Sequence, residues 1–228
     1  LPIMAACVLN SGITKLYNVP NIHDTQMMIE ILKNIGCKVK KNQNKVVIDS
    51  RNINKFEIPE NLMRQMRSSI IFAGAILGKY KKVTFSYPGG CDIGSRPIDL
   101  HLKGFEKIGA TINQEFGKIV CEAKEIKPAE INLDFPSVGA TENIMLASVL
   151  SEGTTKIINA AMEPEIVDLQ NFLNKMGAKS VKVIYRRAEE QMPAEKKEIE
   201  DAKKEGIEFL FQTNIKKILG KANVEKIE

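Results

Sequence analysis

The feature that most constrains this chain is an internal repeat. Three segments share one order of parts: Gly, a short β-type run ending near Asn or Ser, a loop, an amphipathic helix, then apolar-x-x-apolar-Gly. The first opens Gly12-Ile13-Thr14-Lys15-Leu16-Tyr17-Asn18 and closes Leu32-Lys33-Asn34-Ile35-Gly36. The second has Lys82-Val83-Thr84-Phe85-Ser86 and closes Phe105-Glu106-Lys107-Ile108-Gly109. The third opens Gly153-Thr154-Thr155-Lys156-Ile157-Ile158-Asn159 and closes Leu173-Asn174-Lys175-Met176-Gly177. Each closing glycine sits where the end of a helix wants a left-handed residue.

A second helix precedes each segment: Leu1–Asn10, Pro59–Leu77 and Ser137–Glu152. These stretches are rich in Ala, Met, Ile and Leu nearly all round, which predicts buried helices. Short β-type runs such as Val46-Val47-Ile48 and Lys118-Ile119-Val120-Cys121 complete each unit. The expectation is an α/β domain of three strand-helix-strand-helix units, with helices inside and sheets outside. The chain ends differently. From Lys182 to Glu228, 21 of 47 residues are charged, against 40 of 181 before them. Val181–Tyr185 and Ile207–Phe211 read as strands, and Pro193–Lys204 as a solvated helix between them. That predicts a β-α-β tail over 180–228, unlike the repeats.

Composition narrows the function classes. The chain has 228 residues, 43% hydrophobic and 27% charged, enough for a real core without metals or disulfides. No apolar run approaches the roughly 20 residues of a membrane span. The start, Leu1-Pro2-Ile3-Met4, reads as the inside of a helix and not as a signal peptide, so the chain is expected to be an excised domain or fragment. A net charge of +5 is too mild and too scattered for nucleic acid, and fits a handler of anionic metabolites. The four cysteines form no CxxC, so reduced thiols and a cytoplasmic location are the default. Two histidines, His23 and His101, leave little for a metal site or a Ser-His-Asp triad.

The most unusual stretch is Pro88-Gly89-Gly90-Cys91-Asp92-Ile93-Gly94-Ser95-Arg96-Pro97. Such a segment frees backbone N–H groups for an anion, and Arg96 adds a bidentate donor for phosphate or carboxylate. Cys91 is either a nucleophile or acid near positive charge or a small buried residue in a turn. Arg67, in Met66-Arg67-Ser68-Ser69 within an apolar helix, either snorkels or faces an anion. Ser137-Val138-Gly139 opens the third buried helix, where it can cap the helix or hold a phosphate. Asp99 and His101 follow Arg96, and Glu163 and Glu165 flank Pro164 in the corresponding part of the third unit. They either orient a sugar or an arginine, or complement helix dipoles. Cys7, Cys37 and Cys121 lie in apolar or strand-like runs and read as core.

Together, PGGCDIGSRPIDLHL, MRSS, FPSVGATENIM and AAMEPEIVD resemble the UDP-N-acetylglucosamine 1-carboxyvinyltransferase family over residues 1–179. The resemblance implies one inside-out α/β barrel domain of three units. It also implies transfer of enolpyruvyl from phosphoenolpyruvate to the sugar 3-hydroxyl of UDP-N-acetylglucosamine, the first committed step of peptidoglycan synthesis. Cys91 then matches the cysteine that adds to phosphoenolpyruvate and is alkylated by fosfomycin. Arg67 and Arg96 match arginines facing phosphates. Pro97, Ile98, Asp99, Leu100 and His101, with Ser137, Val138 and Gly139, match segments holding the uridine diphosphate moiety. No cofactor or metal, membrane or nucleic acid is implied. The family's Lys-Asn pair would fall ahead of Leu1, and its second domain, with a base carboxylate, is a missing partner. The tail, GAKSVKVIYRRAEEQMPAEKKEIEDAKKEGIEFLF, resembles part of the glutamate synthase small-chain family of NAD(P)-dependent oxidoreductases, with Arg186 and Arg187 at the adenosine end. The glycine fingerprint of such a site is absent from the chain. The expectation is a chimaera without turnover of its own, with an oxidoreductase fragment or a non-catalytic scaffold as alternatives.

Overall fold

The computed structural model describes residues 1–89 and 98–178, and beyond them only the backbone of four two-residue strands. Its elements run α1 (Pro2–Ala6), β1 (Ile13–Leu16), α2 (His23–Asn34), β2 (Lys38–Asn42), β3 (Lys45–Asp49) and α3 (Glu60–Met63). A 3-10 turn, Arg67–Ile70, leads into α4 (Ile71–Tyr80), then β4 (Lys82–Ser86), α5 (Asp99–Lys107), β5 (Thr111–Glu115) and β6 (Lys118–Glu122). Next come β7 (Glu130–Asn132), α6 (Val138–Ser148), β8 (Lys156–Ile158) and α7 (Pro164–Lys175).

The repeat is structural in the first two units. Each forms a three-stranded antiparallel sheet whose hairpin places its second strand at the centre: β1-β3-β2 and β4-β6-β5. The registers correspond, with Ile13 opposite Asp49 and Lys82 opposite Glu122 at the same end of each sheet. The segment leading into each following inner helix pairs in parallel with the next opening strand. Glu57 bridges Thr84, and β7 pairs with β8 through Ile131 and Ile157. The outer hairpin strands β2 and β5 are mostly exposed and polar, whereas β3 and β6 alternate buried residues with partly buried or exposed ones. Alternation is what a sheet with one face on a core requires.

The closing glycines take the left-handed backbone the repeat demanded: φ is 111° at Gly36, 99° at Gly109 and 100° at Gly177. The inner helices are buried and apolar nearly all round, as read from sequence. Ile71 to Gly78 of α4 are all buried, and α6 packs against α4. Two glycines one turn apart set that crossing. A Cβ on Gly74 would lie 2.2 Å from the Asn143 carbonyl oxygen, and one on Gly78 2.7 Å from those of Leu146 and Ala147. The two backbones approach closely because both α4 residues are glycine. α5 lies on α6 at Gly104, whose Cβ would meet the Ile144 side chain at 2.5 Å.

Several boundaries differ from the sequence reading. The first helix is only Pro2–Ala6, followed by turns. The third inner helix spans Val138–Ser148, short of the expected Glu152. The expected continuous helix Pro59–Leu77 is broken: α3 ends at Met63, Met66 is extended, and a 3-10 turn follows. Ser69 explains the break, because its hydroxyl donates to the carbonyls of both Met63 (3.0 Å) and Met66 (2.8 Å), completing a turn that a helix would not allow. In the tail, Val183–Ile184 pairs in parallel with Phe209–Leu210, and Ile218–Leu219 antiparallel with Lys226–Ile227. The helix expected at 193–204 lies outside the described residues.

Candidate active site

Three of the sequence-derived candidate segments meet around one buried side chain. The first is the turn bearing Arg67. It starts at the break after α3, so Arg67 stands at the first position of a 3-10 turn, not inside a helix. The break also receives the end of β4's exit: the Gly89 N–H donates to the Met63 carbonyl at 3.1 Å. A Cβ on Gly89 would fall 2.0 Å from the Arg64 carbonyl oxygen, so only glycine passes there. Segment 90–97, with Cys91, Arg96 and Pro97, lies outside the described residues, but both its flanks are fixed.

The far flank is the second segment. Ile98 and Leu100 are buried, Asp99 is exposed on the first turn of α5, and His101 is 4% exposed. The third segment is the start of α6. Ser137 caps it by accepting from the Ala140 N–H at 3.4 Å, so the capping reading of this serine holds. Val138 and Gly139 follow, half-buried, and a Cβ on Gly139 would lie 3.3 Å from His101 Cε1.

The residue joining these segments is Asn143, completely buried on α6. Its Oδ1 accepts the Gly74 N–H at 2.7 Å. Its Nδ2 donates to the Ile70 carbonyl at 2.9 Å and lies 2.8 Å from His101 Nδ1. Burial, then the charge of Arg67, pushes the His101 pKa down to about 4, so its ring is neutral at neutral pH.

Glu163 and Glu165 form a neighbouring group around the start of α7 rather than joining this one. Glu163 precedes α7 and its Oε2 accepts from the Met162 N–H at 2.9 Å; Glu165 is exposed on the first turn. Thr141 of α6 ties that loop down, donating to the Ser137 carbonyl (2.8 Å) and accepting from the Ala161 N–H (3.0 Å). Beside them lies Glu142, 3% exposed. Burial, together with the charges of Glu165 and Glu163, pushes its pKa up to about 7. Cys7, Cys37 and Cys121 are buried, and burial pushes each thiol up to about 12.

Glu142 and Asn143 were not singled out in the sequence. The signal was available: two adjacent polar residues within an all-apolar helix must find partners or lose their charge. No grouping of metal-ligating side chains occurs among the described residues. A hollow of about 660 Å³ between α5 and β7 shares only Leu100 with the site and is rimmed by Lys103, Lys107, Glu130 and Asp134 on the outer surface.

The sequence profile of the EPSP synthase (3-phosphoshikimate 1-carboxyvinyltransferase) family matches residues 1–201. The chain belongs to this family. It is 56% identical over 179 residues to UDP-N-acetylglucosamine 1-carboxyvinyltransferase 2 of Caldanaerobacter subterraneus, covering 78% of this chain and 43% of that protein. It is 51% identical over 179 residues to UDP-N-acetylglucosamine 1-carboxyvinyltransferase 1 of Carboxydothermus hydrogenoformans, covering 78% and 42%. The chain thus spans less than half the length of these relatives. Among solved structures, the enolpyruvyl transferase NikO from Streptomyces tendae superposes with a TM-score of 0.68 at 19% identity, over 77% of this chain and 42% of that one. EPSP synthase from Acinetobacter baumannii gives 0.52 at 16%, over 68% and 37%. These structural likenesses support the mixed α/β fold. The family match runs past residue 179, where the sequence reading placed the start of a foreign tail. No helix among the described residues is long and apolar enough to cross a membrane.

Proposed function

We propose that residues 1–179 form the cysteine-bearing domain of an enolpyruvyl transferase acting on UDP-N-acetylglucosamine. In this reading phosphoenolpyruvate and the sugar nucleotide are the substrates, and no cofactor takes part. The observation that carries it is the convergence on His101 and Asn143. The Arg67 turn, through Ile70, the Ile98–His101 flank of the Cys91 segment and the Ser137–Gly139 helix start meet at these two residues, while the Gly89 flank is bonded to Met63, just ahead of the Arg67 turn. Anionic substrates suit this arrangement: the charge of Arg67 is felt at a neutral imidazole, and that ring packs against a helix N-terminus.

The chemistry is addition and elimination at an enol ether. The sugar 3-hydroxyl adds to C2 of phosphoenolpyruvate as C3 gains a proton. C3 then loses a proton as the C2–O bond to phosphate breaks, releasing phosphate and the enolpyruvyl ether. Arg67 and Arg96 hold phosphate and carboxylate charge; the Cys91 thiol adds reversibly to C2 of phosphoenolpyruvate as C3 gains a proton, and leaves again as the thiol, with loss of that C3 proton, before the sugar hydroxyl adds. Ile98, Asp99, Leu100, Ser137, Val138 and Gly139 line the uridine diphosphate part, and Glu163 and Glu165 orient the residues around it. The three units close as an inside-out barrel, and the protein works in the cytoplasm, in peptidoglycan synthesis. The tail from residue 180 adds no dinucleotide chemistry of its own, since a glycine phosphate loop is lacking.

The test is titration of the 228-residue chain with UDP-N-acetylglucosamine, followed by NMR. A share of the site on one domain gives a dissociation constant no tighter than about millimolar. Shifts are expected at Ser137–Gly139 and Ile98–His101; shifts confined elsewhere contradict the assignment. The chain spans 43% of its relatives' length, and this proposal includes no sustained phosphate release by the chain alone.

A further inference from the structure

We propose that Asn143 is a positioning residue of this site: it fixes His101 as an Nε2–H donor and clamps the Arg67 turn to α6. The inference deepens the functional reading above and rests on it.

The geometry of the amide leaves one orientation. Ile70 C=O and Gly74 N–H are the two groups an i→i−4 helix bond would pair. The Asn143 amide joins both of them, accepting from Gly74 and donating to Ile70. A flipped amide would set its NH2 against the Gly74 N–H and its oxygen against the Ile70 carbonyl, two repulsive contacts in a dry core. With the orientation fixed, the second Nδ2 hydrogen points at His101 Nδ1, 2.8 Å away. Nδ1 must accept, so the ring proton sits on Nε2. The Nε2 edge of the ring packs beside Gly139, with 3.6 Å from Nε2 to the position a Cβ would take there. Nε2 has no hydrogen-bond partner among the described residues. The donor therefore lies at the start of α6, where the proposed diphosphate sits, as a neutral group. The same amide anchors Ile70, the last residue of the 3-10 turn on which Arg67 stands. Gly74 is required for this, since a Cβ there would lie 2.3 Å from Asn143 Oδ1.

The experiment uses the 228-residue chain labelled with 15N in its two histidine rings, His23 and His101. In the unmodified chain at neutral pH, His101 is expected to show an unprotonated Nδ1 and a protonated Nε2; this needs no variant. A proton on Nδ1, or a charged ring, overturns the proposal. In Asn143→Asp the side chain no longer donates, so His101 is expected to switch its proton to Nδ1 or to become charged. The initial slope of the UDP-N-acetylglucosamine shifts at Ser137–Gly139 should fall at least fivefold. An unchanged ring signature in Asn143→Asp overturns the proposal, as does a switched ring with a slope within twofold. Should the unmodified chain show no nucleotide-sugar shifts, the functional reading fails first, and Asn143 then holds the fold rather than a site.

Discussion

The first and second units are built alike and used differently. Each has an opening strand, an outer helix, a polar hairpin and an inner segment, and the sheet order is the same. They part in the connection from opening strand to outer helix. In the first unit that connection is closed locally: the Val19 N–H donates to the Asn44 carbonyl at 2.8 Å, and the Thr25 hydroxyl donates to the carbonyls of Pro20 (2.7 Å) and Ile22 (2.9 Å). In the second unit the described flanks of the glycine-rich segment reach other elements: Gly89 is bonded to Met63 at the end of α3, and His101 to Asn143 of α6. The comparison teaches that the repeat supplies a frame, and in the proposed function the chemistry belongs to the connection of the second copy.

The comparison breaks most severely if the shared frame does not depend on the inner helices. Gly74→Ala and Gly78→Ala each force α4 off α6, and each is expected to cost about 3 kcal/mol or more, with loss of cooperative unfolding in urea. A variant within about 0.5 kcal/mol of the parent would show that the crossing is looser than described. The second prediction concerns the third unit. Glu142, with its pKa raised from 4.5 to about 7, is protonated in the fold at pH values where the unfolded chain ionises it. Stability therefore falls as pH rises from about 4.5 to about 7, by about 3 kcal/mol in total, and then levels. Glu142→Gln should remove that slope and leave the protein more stable than the parent at pH 8; an unchanged slope would assign the titration elsewhere. The smallest effect tests the capping of α6. Ser137→Ala is expected to lower the unfolding free energy by about 1 kcal/mol, read from the urea midpoint. A loss of nucleotide-sugar shifts together with that destabilisation would sharpen the view that this serine both caps and binds.

Much of the frame was legible because it is periodic. The closing glycines, the all-apolar inner helices and the opening strand Lys82–Ser86 follow from patterns that local sterics and burial enforce. The break before Arg67 was not legible, since it depends on one Ser69 hydroxyl capturing two carbonyls that only the folded turn brings near. The hairpin strands β2 and β5 carry mostly polar, exposed residues, and periodicity says little there. In the site, unusual residue types such as Cys91 and Arg67 stood out at once. Asn143 did not, because its role comes from partners 73 and 42 positions away in the chain. Glu142 was hidden likewise: the charges that act on it, Glu163 and Glu165, come from the start of α7, more than twenty positions away in the chain.

The claim that one copy of the repeat carries the chemistry is tested most directly by its thiols. Cys37 belongs to the first unit and Cys121 to the frame of the second, both buried with pKa values pushed to about 12, as is Cys7. Brief treatment of the folded chain with limiting iodoacetamide, followed by peptide mapping, is expected to label Cys91 at least about tenfold ahead of the other three. Labelling of Cys7, Cys37 or Cys121 at a comparable rate would contradict the account.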